Sequence, residues 1–259
     1  MSMIITVINQ KGGVGKSTTA WALGHALMEH GKTVLFVDLD AQGNLSHAIG
    51  ADSAGLTGRD AMGILTGAAS IGQSVQQTEN GDIVAGTPAL AGADLALQEI
   101  GKEYRLREAL SPIFPAYDYI LIDTPPSLGI LTVNALTACS ACIIPAQADV
   151  YSLQGIQQVC KTIEAVRTYC NPFLQVHGIL LTRFTPRTVI SRDMANLAEA
   201  MANTIGTVVY PVKIRESTVI KEAQATQRSL YAYAPRSHAA QDYFRLGDEI
   251  IRRGLSFEE

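Results

Sequence analysis

The stretch Gln10-Lys11-Gly12-Gly13-Val14-Gly15-Lys16-Ser17-Thr18 constrains this chain more than any other. An apolar run over residues 3–8 precedes it and reads as a buried strand. An Ala/Leu-rich segment over residues 19–30, stopped by Gly31, follows and reads as a helix. Strand, glycine-rich turn, Lys-Ser and helix together are the context of a phosphate-binding P-loop. Glycines let the backbone approach phosphate, so that successive N–H groups and the helix N-terminus face negative charge. Lys16 is then expected on the β- and γ-phosphates and the Ser17 hydroxyl on Mg²⁺. A dinucleotide fingerprint is the rival reading. It wants Gly or Ala where this chain has Thr18, and it has no need of Lys-Ser.

Two further strand ends carry acids. Residues 33–37 form a β-rich run that ends in Asp38-Leu39-Asp40-Ala41-Gln42-Gly43-Asn44, with Asn44 or Ser46 available to cap a short helix. In open α/β folds the carboxyl edge of the sheet is where ligands bind. Residues 117–122 lead into Asp123-Thr124-Pro125-Pro126-Ser127, an apolar strand ending in the acid of a Walker B pattern. Strands are further expected at 81–85, 141–146, 176–181, 207–212 and 230–234. Helices are expected near 59–65 and over 91–110, 152–169, 191–204 and 236–253. The alternation predicts an α/β fold: a doubly wound, mostly parallel sheet with helices on both faces, in one domain over 1–259.

Composition restricts function. A net charge of −4 gives no global field for nucleic acid, so any DNA contact must come from a local patch. Such a patch exists: Arg183, Arg187, Arg192, Lys213, Arg215, Lys221, Arg228 and Arg236 outnumber the acids around them. Each arginine taken singly reads as part of a solvated face. As a group they could neutralise phosphates. The four cysteines look like reduced thiols, and Cys139-Ser-Ala-Cys142 is a lone pair without further ligands at metal spacing. There is no basic leader and no membrane-spanning run, which predicts a cytoplasmic protein.

With these segments assembled, the sequence resembles the ParA/Soj branch of deviant Walker ATPases along essentially its whole length. The most specific element is Lys11, an extra lysine that ordinary P-loops lack. Val37-Asp-Leu-Asp-Ala-Gln-Gly-Asn44, Ile122-Asp-Thr-Pro-Pro-Ser127, Pro145-Ala-Gln147 and Pro235-Arg-Ser237 with Tyr243 support it. The resemblance implies ATP and Mg²⁺ as cofactors and a nucleotide-sandwich homodimer in the ATP state, with Lys11 crossing to the partner's phosphates. It implies Gly12, Gly13, Val14, Gly15, Lys16, Ser17 and Thr18 on the nucleotide, Ser17 and Asp123 at the metal, and Asp40 orienting the attacking water. It also implies Thr182 and Arg183 near the adenine. Two departures stand out: Asp-Ala-Gln over residues 40–42 replaces Asp-Pro-Gln, and Ile214-Arg215-Glu216-Ser217 lacks the family's proline near the base.

Three functions fit such a chain. The first is a DNA-segregation ATPase whose ATP-bound dimer coats non-specific DNA through Arg187, Arg192, Lys213, Arg215 and Lys221, and whose hydrolysis is stimulated by a separate centromere-binding (ParB-like) adaptor. It would be nucleoid-associated. With the P-loop beginning at Lys11, no N-terminal helix-turn-helix domain is expected. The second is a MinD-like ATPase that docks on membrane by its C-terminal segment, although Gly254, Glu258 and Glu259 disfavour it. The third is a metal-cluster carrier of the nitrogenase iron-protein kind, which needs cysteines at a dimer axis.

Overall fold

The structure, a computed structural model, describes residues 2–52, 57–147, 149–185 and 189–254. The strands are β1 (Met3–Val7), β2 (Val34–Asp38), β3 (Val75–Thr78), β4 (Gly81–Val84), β5 (Tyr119–Asp123), β6 (Ala141–Gln147) and β7 (Gln175–Thr182). They form one sheet in the order β3-β4-β2-β5-β1-β6-β7. Every pairing is parallel except the β3–β4 hairpin at the edge. Strands β1, β2 and β5 are buried at every position, the pattern of a sheet covered on both faces.

The helices are α1 (Lys16–Glu29), α2 (Asn44–Ile49), α3 (Ala61–Thr66), α4 (Ile71–Ser74), α5 (Ala93–Ala96), α6 (Arg105–Leu110), α7 (Ile130–Ala138), α8 (Val150–Tyr169), α9 (Val189–Thr204), α10 (Thr218–Ala225), α11 (Leu230–Tyr233) and α12 (His238–Arg253). Two cores lie on the two faces. One joins α3, α6, α7, α8 and α9 to β residues such as Ile4, Leu35 and Ile122. The other joins α1, α2, α10, α11 and α12 to Ile5, Phe36 and Leu121, with Trp21 and Tyr243 fully buried. Alternate residues of one strand thus feed opposite cores.

Several local expectations are corrected. The long helix over 91–110 is broken into 3₁₀ turns and the short helices α5 and α6, because Gly101 takes a left-handed φ of 83° between them. Residues 230–234 are helical rather than extended: Ser229 caps α11 by accepting from the Ala232 amide at 3.0 Å. Residues 207–212 make one bridge, Ile179 with Val209, in place of a strand. Helix α2 is capped by left-handed Gly43, so that neither Asn44 nor Ser46 caps it. Helix α7 escapes the sequence patterning because nearly all of it is buried, which leaves no one-sided apolar stripe.

Candidate nucleotide site

The parallel register sets the site. Val7 pairs with Asp123 and Asp38 pairs with Asp123, so three adjacent strands end at one level. The loop after β1 is tied to its surroundings by side chains. Asn9 is fully buried; its Oδ1 accepts from the Lys11 amide at 3.0 Å and its Nδ2 donates to the Pro145 carbonyl at 2.7 Å. Gln147 donates to the Gly13 carbonyl and the Thr182 hydroxyl to the Val14 carbonyl, both at 2.8 Å. Strands β6 and β7 thereby hold the loop by its carbonyls. Gly13 and Gly15 have φ of 76° and 91°, a backbone that L side chains rarely adopt. A Cβ on Gly12 or Gly13 would meet nothing within 4 Å, so the loop borders open space. Helix α1 starts at Lys16 with no side-chain cap, which leaves its first amides available to an anion.

A cleft of ≈ 530 Å³ lies over this N-terminus and includes Gly12, Gly13, Gly15, Lys16, Ser17, Thr18 and Asp40 in its walls. Lys16 is 7% exposed, and its ammonium donates to the Lys11 carbonyl at 3.3 Å. Burial lowers its pKa, while Asp123 and Asp40 act in the opposite sense. Asp123 is fully buried and neither carboxylate oxygen has a hydrogen-bond partner. Burial and the adjacent Asp38 push its pKa well above the carboxylate range, against the pull of Ser17 and Lys16. A buried acid with two unsatisfied oxygens near a serine hydroxyl is a costly arrangement for a protein alone, and it fits a hard divalent cation. The donor set at Ser17 and Asp123 therefore suits Mg²⁺.

The two acids after β2 separate by environment. Asp38 is fully buried and pushed up to about 6 by that burial, with its oxygens occupied by donors from Asp40 and Ser46. The Asp40 carboxylate accepts only from the Gln42 amide, at 3.0 Å, among the hydrogen bonds described, and Asp40 lines the cleft. Lys11 is absent from the cleft lining. Its ammonium contacts both Asp149 oxygens, at 2.8 and 2.7 Å, with the two side chains 30% and 34% exposed.

A second cavity of ≈ 210 Å³ adjoins the cleft, sharing Gly15, Thr18, Arg183 and Gln224 with it. Thr182, Arg183 and Lys221 line it, with Arg183 at a left-handed φ of 48°. The Arg215 guanidinium is bound at two points by Asp242, with Nε donating at 2.8 Å. Lys213 sits 4.8 Å above the Phe184 ring. Arg192 is exposed on α9, in the helical layer opposite α10 and Lys221. Arg187 lies outside the described residues. Cys139 and Cys142 are fully buried, and burial pushes the Cys139 thiol up to about 12, which makes both packing groups. Asn9, His47 and Gln224 are site residues that carry no motif signal; only the fold brings them to the loop.

The chain matches the family model described as "AAA domain" over residues 2–176. It is 38% identical over 257 residues to sporulation initiation inhibitor protein Soj of Bacillus subtilis, covering 98% of this chain and 100% of that one. It is 37% identical over 257 residues to the chromosome partitioning protein ParA of Caulobacter vibrioides, covering 96% and 94%. A solved structure named as cobyrinic acid a,c-diamide synthase from Mycobacterium smegmatis, with bound ADP and magnesium, superposes with a TM-score of 0.84 at 33% identity, covering 99% and 96%. A glycine cradle at the head of α1, an unsatisfied acid beneath it and relatives of this closeness lead to one assignment: the chain belongs to the ParA/Soj family of P-loop ATPases.

Proposed function

We propose that this ATPase separates DNA cargo by switching between a free subunit and an ATP-closed homodimer that binds non-specific DNA. The observation that carries the reading is the position of Lys11. Lys16 already supplies the lysine of its own cleft, whereas Lys11 stands outside the cleft lining on the half-buried carboxylate of Asp149. A lysine so placed can serve a second subunit's phosphates, doing in trans what an arginine finger does.

In this mechanism the loop amides and Lys16 bind the triphosphate, and Thr18 lies toward the α-phosphate. Ser17 and Asp123 would hold Mg²⁺, which would supply positive charge to offset that of the phosphates. Asp40 orients a water toward the γ-phosphorus; the bond to the bridging oxygen breaks, and ADP and phosphate leave. Lys11 from the partner adds positive charge where the transition state spreads its negative charge. The cavity lined by Thr182, Arg183 and Lys221 takes the base. Arg187, Lys213, Arg215 and Lys221 contribute the DNA surface, Arg192 standing apart from Lys221 on the opposite helical layer, and a ParB-like adaptor stimulates hydrolysis. The relatives named for chromosome partitioning support this, and no helix among the described residues is long and apolar enough to cross a membrane.

The test is duplex binding with ATP, ADP or no nucleotide across a salt series. Binding that requires ATP and weakens steeply with salt is expected. Equal binding in all three states, or none with ATP at low salt, overturns the DNA role. Capture on anionic liposomes instead would favour the membrane alternative.

A further inference from the structure

The loop that carries Asp40 is fixed by a buried hydrogen-bond lattice with Ser46 at its centre. The Asp38 carboxylate accepts from the Asp40 amide at 3.0 Å through one oxygen. Its other oxygen accepts from both the amide and the hydroxyl of Ser46, at 2.8 and 2.7 Å. The same hydroxyl accepts from the Gly86 amide at 2.9 Å, just beyond the end of β4. One side chain therefore joins the end of β2, the first turns of α2 and the segment after β4. Gly86 closes the lattice by contact: a Cβ there would lie 2.7 Å from the Asp40 carbonyl and 2.9 Å from Asp38 Cγ. Ser46 itself is fully buried and takes no part in lining either cavity.

We infer that Ser46 is a positioning residue for ATP hydrolysis, which acts on the reaction only by fixing the backbone from which Asp40 reaches the cleft. The inference rests on Asp40 being the water-orienting group. Removing the hydroxyl strips Asp38 of one donor and leaves the Gly86 amide without its acceptor. Both groups are buried, so the loop must shift to recover them. A displacement of about 1 Å at a group that orients a reactant costs up to a hundredfold in rate. The cradle backbone is tied elsewhere, Gly13 to β6 and Val14 to β7, so the larger effect is expected on rate rather than on nucleotide affinity.

Steady-state ATP hydrolysis, nucleotide affinity and thermal unfolding of Ser46→Ala, Ser46→Thr, Asp40→Ala and the Ser46→Ala/Asp40→Ala double variant test this. Ser46→Ala should lower kcat by about tenfold or more with ATP affinity within about twofold of wild type. Ser46→Thr, which restores a hydroxyl, should recover most of the rate. In the Asp40→Ala background Ser46→Ala should have no further effect on kcat, since its influence passes through Asp40. A wild-type kcat for Ser46→Ala, or a further loss in the double variant, overturns the inference. An Asp40→Ala protein that hydrolyses ATP normally overturns instead the catalytic assignment on which it rests. If Ser46→Ala fails to fold, Ser46→Cys, whose thiol is a weaker donor and acceptor, takes its place: a lowered kcat with retained ATP affinity that is absent from the Asp40→Ala background supports positioning, and a wild-type kcat, or a loss that persists in that background, overturns it.

Discussion

Lys11 and Lys16 belong to one loop and yet live in different physical regimes. Lys16 is buried at the head of α1, with Asp123 and Asp40 close enough to bias its protonation. Its surroundings are supplied by β1, β2 and β5 of the same chain. Lys11 lies outside the cleft lining, on a carboxylate as exposed as itself. Ion pairs that keep contact with solvent contribute about 0–1 kcal/mol, whereas buried charges move only with large rearrangement. One lysine is therefore built into the cleft, and the other is held beside it. The proposed shared site needs that asymmetry.

The comparison is broken most directly by Lys11→Ala. Loss of a trans cation should reduce hydrolysis by about a thousandfold while ATP binding stays within about twofold of wild type. Rate and affinity measured on one preparation decide it, and a normal rate would sink the shared site. Next in size is Lys16→Ala, which removes a charged contact to phosphate from the chain's own half. It should weaken ATP binding by about a hundredfold, read by calorimetry or fluorescent-nucleotide displacement.

The buried half can also be probed by pH through His25, on the same helix as Lys16. Burial holds its pKa down at about 4, between Trp21 and Phe36 and with one nitrogen on the Asn80 carbonyl. The unfolded chain takes up this proton below about pH 6.5 and the folded chain only near pH 4, so its neutral form stabilises the fold above that window. Stability should fall as pH drops through it, by up to about 3 kcal/mol from this group. Buried Asp38 acts in the opposite sense, so the clean readout is the difference in acid slope between wild type and His25→Gln. Equal slopes would mean that this side of α1 is wetter than described. The smallest effect belongs to Asp149→Asn. Stability should change by less than about 1 kcal/mol, and the ATP-dependent dimer fraction should rise by no more than about fivefold.

The cradle was legible in the sequence because its chemistry is local: glycines, Lys16 and Ser17 are consecutive. The parallel sheet was legible because alternation of elements dictates it. Long-range partnerships were not. Nothing in the order of residues says that Arg215 is bound by Asp242, or that Thr182 spends its hydroxyl on Val14. The residues alone left Asp38 and Asp40 equivalent; the resemblance chose Asp40, and hydrogen bonds to Ser46 supply the physical reason. The hairpin of β3 and β4 was half seen, because Val-Gln-Gln-Thr over residues 75–78 lacks the apolar alternation of a covered strand.

The three ties from Asn9, Gln147 and Thr182 give the cradle a character that its glycines conceal. Glycine-rich segments ordinarily exchange their amide protons within seconds and sample many shapes before a ligand selects one. Here the loop is fastened to two neighbouring strands, β6 and β7, so its motion is coupled to that of the sheet itself. Its shape is kept before any nucleotide arrives, and the ordering entropy of capture falls on the triphosphate.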